Sequence, residues 1–281
     1  MSADASLSKR ALAAVAPPRA EGALRLAVAR TAGVTFARDV EEAGPLRVCF
    51  PRPATNDMLE AVLVNTGGGV VGGDRLRLTL EADEGASLAV TTQAAERVYR
   101  SDGATARVEL SLAAARGARL CWLPQETILY DGARIERTIG ADIAADAALT
   151  LCEALVFGRT AMGETLVEGC IADRWRIRRG GTLVFADALR LEGPIGAILG
   201  RPAVAAGARA AATLVRIAPD AEAGLAPLRT VLAAANVEAG ASAFDGLLVA
   251  RLLARDGLEL RAGLGAAFSA LGVLTPRAFV L

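Results

Sequence analysis

Histidine is absent from all 281 residues. That absence excludes a Ser-His-Asp or Cys-His base and any zinc or nickel centre built on imidazole. Chemistry in this chain would have to use carboxylates, thiols or the backbone. Lysine occurs once, at Lys9, so the P-loop Lys-Ser/Thr pair is missing, and no serine sits in an elbow motif. Aromatic residues make up only 4%, with two Trp and two Tyr, too few for the stacked platforms of carbohydrate sites. Net charge is lacking as well: 31 basic residues balance 31 acidic ones, so no overall field draws the chain to nucleic acid or an anionic membrane. No apolar run approaches the roughly 18 residues of a membrane span. The six residues of ALAAVA after Lys9-Arg10 stop at Pro17-Pro18, too short for a signal-peptide core. Four cysteines, Cys49, Cys121, Cys152 and Cys170, lie far apart without C-x-x-C spacing and read as buried free thiols. The expected setting is the cytoplasm, with residues 1–19 a flexible tail and 20–281 a single domain.

What the chain does have is apolar content, 53%, arranged at period two. Alternation runs through Leu24 to Ala29, Leu46 to Phe50, Leu59 to Val64, Leu76 to Leu80, Val108 to Leu112, Trp175 to Ile177 and Leu183 to Phe185. Turn signals separate these stretches, among them Asp102-Gly103, Asp131-Gly132 and Arg179-Gly180-Gly181. The body is therefore mainly β. Two helices are expected in the C-terminal third. One opens at Pro219-Asp220 and carries Leu225, Leu228 and Leu232; the other starts at an Asp256-Gly257-Leu258-Glu259 capping box and ends near Gly272.

The β region repeats itself. LRLTLEADEGASLAVTTQ (76–93) lies without a gap over VELSLAAARGARLCWLPQ (108–125), an offset of 32 (120 less 88, from Leu88 and Leu120). A degraded third copy, IGADIAADAALTLCEAL (139–155), follows at an offset of 29 (149 less 120). Each unit is a strand, a Gly-Ala turn and a second strand, a pattern that buries its faces by stacking, as in β-helix-like layers. The competing reading is that neighbouring hairpins share turn chemistry without stacking.

NTGGGVVGGDRL (65–76) contains G-x-G-x-x-G at Gly67, Gly69 and Gly72. A dinucleotide loop must open a helix, so that exposed N–H groups meet the pyrophosphate. Here Leu76, Leu78 and Leu80 alternate instead, and a strand follows. The glycines read as positions of positive φ or close strand approach, and Asp74 stands at the lip of the turn.

Acids embedded in apolar sequence must be paired or functional, since a bare buried carboxylate costs several kcal/mol. Glu153, Asp187 and Glu126 are such residues, with arginines available as partners. Paired carboxylates would also suit glycoside hydrolysis on a β-solenoid, the alternative reading. The favoured reading is a protein that is not an enzyme.

The strings FPRP (50–53), VNTGGGVVGGDRL (64–76), TTQAAERVYRS (91–101), WLPQETILYDGA (122–133), EALVFGRTAMGE (153–164), DRWRIRRGGTLVFADALRL (173–191) and a closing G-x-x-x-P-R (272–277) together resemble the urease accessory protein D family, UreD or UreH. The resemblance runs from about Arg19 onward, and the family commonly has Ala where Gly68 stands. It implies a stack of β-strands with two helices. It also implies a chaperone that works with UreF and the GTPase UreG on apo-urease (UreABC), passing nickel along an internal polar route. No permanently bound cofactor, nucleic acid or membrane is implied. The candidates for transient nickel contact are Asp74, Glu153, Asp187 and Glu126, with Thr92 weaker. A route of oxygens holds nickel less tightly than imidazole would. Leu225, Leu228 and Phe268 are candidates either for a partner surface or for the core.

Overall fold

The computed structural model describes residues 19–52, 58–159 and 163–273. The chain runs β1 (Glu21–Thr31), β2 (Val34–Ala43), β3 (Leu46–Cys49), β4 (Leu59–Asn65), β5 (Arg75–Ala82), β6 (Ser87–Thr92), β7 (Glu96–Val98), β8 (Ala106–Ala114), β9 (Arg119–Trp122), β10 (Thr127–Leu129), β11 (Arg134–Ile143), β12 (Ala148–Phe157), β13 (Gly169–Arg179) and β14 (Thr182–Gly193). After these come a short helix α1 (Ile195–Leu199), β15 (Ala210–Ile217), α2 (Leu225–Ala234), β16 (Glu238–Phe244), β17 (Leu247–Ala254) and α3 (Gly257–Ala270).

The sequence repeat is the rung of a β-helix. β5 lies parallel to β8 with Leu78 opposite Leu110, and β6 lies parallel to β9 with Leu88 opposite Leu120, both at the offset of 32 (110 less 78, 120 less 88). The degraded copy stacks at its own offset, 29: Ile139 faces Leu110 and Leu149 faces Leu120 (139 less 110, 149 less 120). Stacked layers, rather than hairpins that merely share turns, account for both offsets. Similar residue classes fall in line from rung to rung, so inward leucines meet apolar partners, Leu78 on Leu110 and Leu80 on Leu112. The first sheet has the order β14-β13-β11-β8-β5-β1-β2, and the second runs β16-β17-β15-β12-β9-β6-β4-β3. A narrow third side is made by β7 beside β10, with Thr127 opposite Glu96. Antiparallel strands close the stack, β2 and β14 on the first sheet, β3 and the β15-β17-β16 group on the second.

Alternation is clean in the first sheet because one face meets water. In β5, Leu76, Leu78, Leu80 and Ala82 are inside while Arg75 and Arg77 are out. β6 and β12 are buried on both faces. Their inward residues, such as Leu88, Leu149 and Leu151, pack between the sheets; their outward ones, Ala89, Cys152 and Val156, pack beneath α2 and α3. Three layers result, which is why β12 reads as a continuous apolar run.

α2 and α3 stand in the C-terminal third as expected, with a 3-10 turn over Ala221–Gly224 ahead of α2. Asp256 caps α3 by accepting from the Glu259 N–H at 2.9 Å, and Gly272 takes φ +60° just past its end. The Glu259 carboxylate reaches the Arg255 N–H, at 3.3 Å, rather than closing the box on Asp256. α1 is a third, unanticipated helix, a single turn started by Pro194, whose ring presets φ. Leu228 and Phe268 are fully buried, so of the two roles open to them they take the core. The expectation of four buried cysteines is corrected: all are free, but Cys49 is exposed on β3 and Cys170 half-buried on β13. The expected tail lies outside the described residues but for Arg19. Pro53, Thr160 to Met162 and the end of the closing G-x-x-x-P-R lie outside them too. No helix among the described residues is long and apolar enough to cross a membrane.

Candidate functional site

Strand periodicity carries three charged side chains into the core. On β11, Ile135, Arg137, Ile139 and Ala141 share the inward face; on β13, Ile171, Asp173, Trp175 and Ile177 do; on β12, Leu151, Glu153 and Leu155 do. Arg137 and Asp173 are direct cross-strand partners in the parallel register of β11 with β13. The facing sheet supplies Glu153.

The Arg137 guanidinium lies between the two carboxylates. It donates from Nε to Asp173 Oδ2 at 3.2 Å, from Nη2 to the same oxygen, and from Nη1 to Glu153 Oε2. The remaining carboxylate oxygens each take an indole N–H: Trp122 Nε1 donates to Glu153 Oε1 at 2.7 Å, and Trp175 Nε1 to Asp173 Oδ1 at 2.9 Å. Exposure is 9% for Arg137, 5% for Glu153 and 7% for Asp173, so the group is buried yet every acid oxygen has a donor. Burial lifts the Glu153 carboxyl above the ordinary carboxylate range, a rise that Arg137 and the Trp122 N–H hold back and Asp173 adds to. Burial also works against the charge of Arg137, but Asp173 and then Glu153 outweigh it and its pKa rises.

Two cavities meet at this group. One, of about 230 Å³, is lined by Gln93, Glu96, Arg97 and Trp122 among others, and extends to Gly68 and Gly69. The second, of about 290 Å³, includes Asp173, Trp175, Asp187 and Arg251 in its lining. Arg137 and Glu153 line both. The first cavity lies mainly among β4 to β9, reaching Thr127 and Ile135, and the second mainly among β13, β14, β15 and β17, so the charged group stands between them along the stacking direction.

A family model described as UreD urease accessory protein matches residues 20–278. The chain belongs to the UreD family. A relative named Urease accessory protein UreD, from Methylobacterium sp. (strain 4-46), is 55% identical over 249 residues, which cover 86% of this chain and 88% of the relative. Another of that name, from Azorhizobium caulinodans, is 48% identical over 264 residues, 94% of this chain and 97% of its own. UreD-family membership makes the chain an accessory protein rather than a catalyst, which removes the glycoside-hydrolase alternative.

In this UreD-family chain the candidate acids part company. Glu153 sits at the centre of the buried group, and Asp187, on β14, lines the larger cavity while pairing with Arg251 at 2.9 Å. Glu126 pairs instead with Arg261 of α3 at 2.6 Å. Asp74 is buried in the glycine-rich turn, accepting from the N–H groups of Ala20 at 2.8 Å and Val71 at 2.9 Å. Thr92 lines the smaller cavity, donates to the Ala94 carbonyl and accepts from the Gln125 N–H. Among the described residues, no three acids or thiols converge as a ready metal cage.

Sequence reasoning missed Arg137, Asp173 and Glu96. The signal for the first two was present, since each stands on the inward phase of its strand, Arg137 between Ile135 and Ile139 and Asp173 between Ile171 and Trp175. Glu96 lies where the chain leaves alternation at β7. Burial raises its pKa; the Asn65 amide at 3.0 Å, then the Arg97 N–H and charge, hold it back, while Asp74 adds to the rise. The same Asn65 braces the glycine loop, accepting from the Gly67 N–H at 3.0 Å and donating to the Gly69 carbonyl at 3.3 Å.

Proposed function

We propose that this chain serves urease maturation as a scaffold that acts with UreF and the GTPase UreG on apo-urease (UreABC) in the cytoplasm, and that nickel travels through its interior. Nickel is cargo, held in passing and not as a resident cofactor. One observation carries the route: two cavities that reach the surface meet at a wall of buried charged side chains in a mostly apolar core. Ions avoid hydrocarbon unless charge or hydrogen bonds replace their water, and carboxylates at Glu96, Glu153, Asp173 and Asp187 provide that replacement at intervals. With no histidine in the chain, every stop on the way is an oxygen site of modest affinity, which favours release to a final site built on stronger ligands.

The test is co-expression of urease, UreF and UreG with the Glu153→Ala/Asp187→Ala variant, followed by nickel analysis of purified urease and a pull-down of the accessory complex. The expected result is an intact complex and urease depleted of nickel. Full metallation with the double variant overturns the route.

A further inference from the structure

We propose that Arg137 is the cation filter of this interior: its guanidinium occupies the seat that nickel takes between Glu153 and Asp173, and passage exchanges one cation for the other. The proposal rests on the nickel-route reading and deepens it.

The charge count sets the selectivity. Two carboxylates and one guanidinium leave the buried group at a net −1. A monovalent ion in place of Arg137 restores the same charge and forfeits three hydrogen bonds, so it gains nothing. A divalent ion brings the group to neutrality, and in a site of low dielectric that extra charge is worth far more than in water. The two indole N–H donors stay on Glu153 Oε1 and Asp173 Oδ1 throughout, which holds both carboxylates in place while the opposite oxygens change partner.

Room for the exchange exists on both sides. Cavities of about 230 and 290 Å³ adjoin Arg137, and a displaced guanidinium meets a carboxylate in either, Glu96 in the first and Asp187 in the second. Because the arginine remains tethered on β11, it returns when the metal leaves. The filter therefore keeps affinity low as well as selecting charge: without Arg137 the same carboxylates become a trap.

The experiment compares wild type, Arg137→Gln and Arg137→Gln/Glu153→Gln/Asp173→Asn in full chains co-expressed with UreF, UreG and urease. The accessory complex is desalted and assayed for retained nickel, and urease is assayed separately for nickel content. Arg137→Gln is expected to retain about tenfold more nickel than wild type, and the triple variant to lose that gain, as expected when both anionic ligands become neutral. Urease nickel falls with Arg137→Gln, because the metal is held upstream. If Arg137→Gln does not accumulate, Arg137→Lys keeps a charge and gives up the forked donor set. It is expected to raise retention in the same direction by a smaller factor. Retention unchanged from wild type overturns the filter and leaves the route to be judged by the Glu153→Ala/Asp187→Ala result. Raised retention with normally metallated urease overturns both, since the site would then lie off the path.

Discussion

Replacing Gly69 by alanine tests whether the glycine-rich loop is built for close approach. Its φ of +143° is a conformation that side chains rarely adopt, and a Cβ there would lie 2.4 Å from Tyr99 Cε2 and 2.7 Å from the Arg97 carbonyl oxygen. Neither neighbour yields easily. Tyr99 is held edge-on to Tyr130 with ring centroids 4.9 Å apart, and its hydroxyl donates to the Gly68 carbonyl at 3.0 Å. The Arg97 carbonyl accepts from the Val70 N–H at 2.7 Å. Backbone strain of about 1–3 kcal/mol and loss of that hydrogen bond, about 1 kcal/mol, give a cost of roughly 2–4 kcal/mol. Gly68 is the control: φ is +75°, but the space around it is open, so Gly68→Ala should cost only about 1 kcal/mol. The assay is urea unfolding followed by fluorescence of the buried Trp122 and Trp175, with midpoints compared at unchanged slope. Equal midpoints for the two variants would refute the reasoning, because only one of them meets backbone.

Further outcomes follow from single contacts. Asp74→Ala strips the acceptor from the part-buried N–H groups of Ala20, ahead of β1, and Val71, in the turn, and should cost about 1–3 kcal/mol in the same unfolding assay, a structural loss that precedes any effect on nickel. Leu120→Ala opens a cavity at a fully buried position between rungs, costing roughly 3–5 kcal/mol by chemical denaturation. Asp256→Ala removes the α3 cap at about 1 kcal/mol, measured as a lower thermal midpoint. The Asp131 carboxyl is held below its ordinary range by the Glu168 N–H first, against burial, and then by the Val167 N–H and the Arg100 charge. Its stabilisation is therefore present above the unfolded carboxyl pKa of about 3.9 and is lost as pH falls through the lower folded value. Asp131→Asn should destabilise near pH 7 and converge on wild type only below the lowered folded value, read from unfolding midpoints across pH.

Much of the fold was legible because β structure writes itself at period two and a stacked repeat writes itself twice. The offsets of 32 and 29 could be read from Leu88, Leu120 and Leu149 alone, and each proved to be a cross-strand register. Strands without an apolar face to alternate left no such mark. β2 is an exposed edge carrying Val34, Phe36 and Val40 among charges, and β16 is an edge of small residues. Of the candidate site, Glu153 was found because it breaks an apolar run. Asp74 attracted notice for its place at the lip of the glycine-rich turn, yet a carboxylate that satisfies backbone amides and one that faces a cavity look alike in a string. Arg137 escaped because arginine is common on the outward faces of these strands, and only its phase sets it apart.

The sequence by itself determined the alternation, the rung length and the Asp256 cap of α3, since each depends on residues a few positions apart or on one segment matching another. It also determined that no imidazole takes part. The meeting of Arg137 with Glu153 and Asp173, 16 and 36 residues away, was decided only by the tertiary structure. So was the choice of Trp122 and Trp175 as their N–H donors. Those contacts exist because β11, β12 and β13 bring their inward faces to the same level of the stack, where desolvated charges are stable only with one another and the two indole N–H groups as partners.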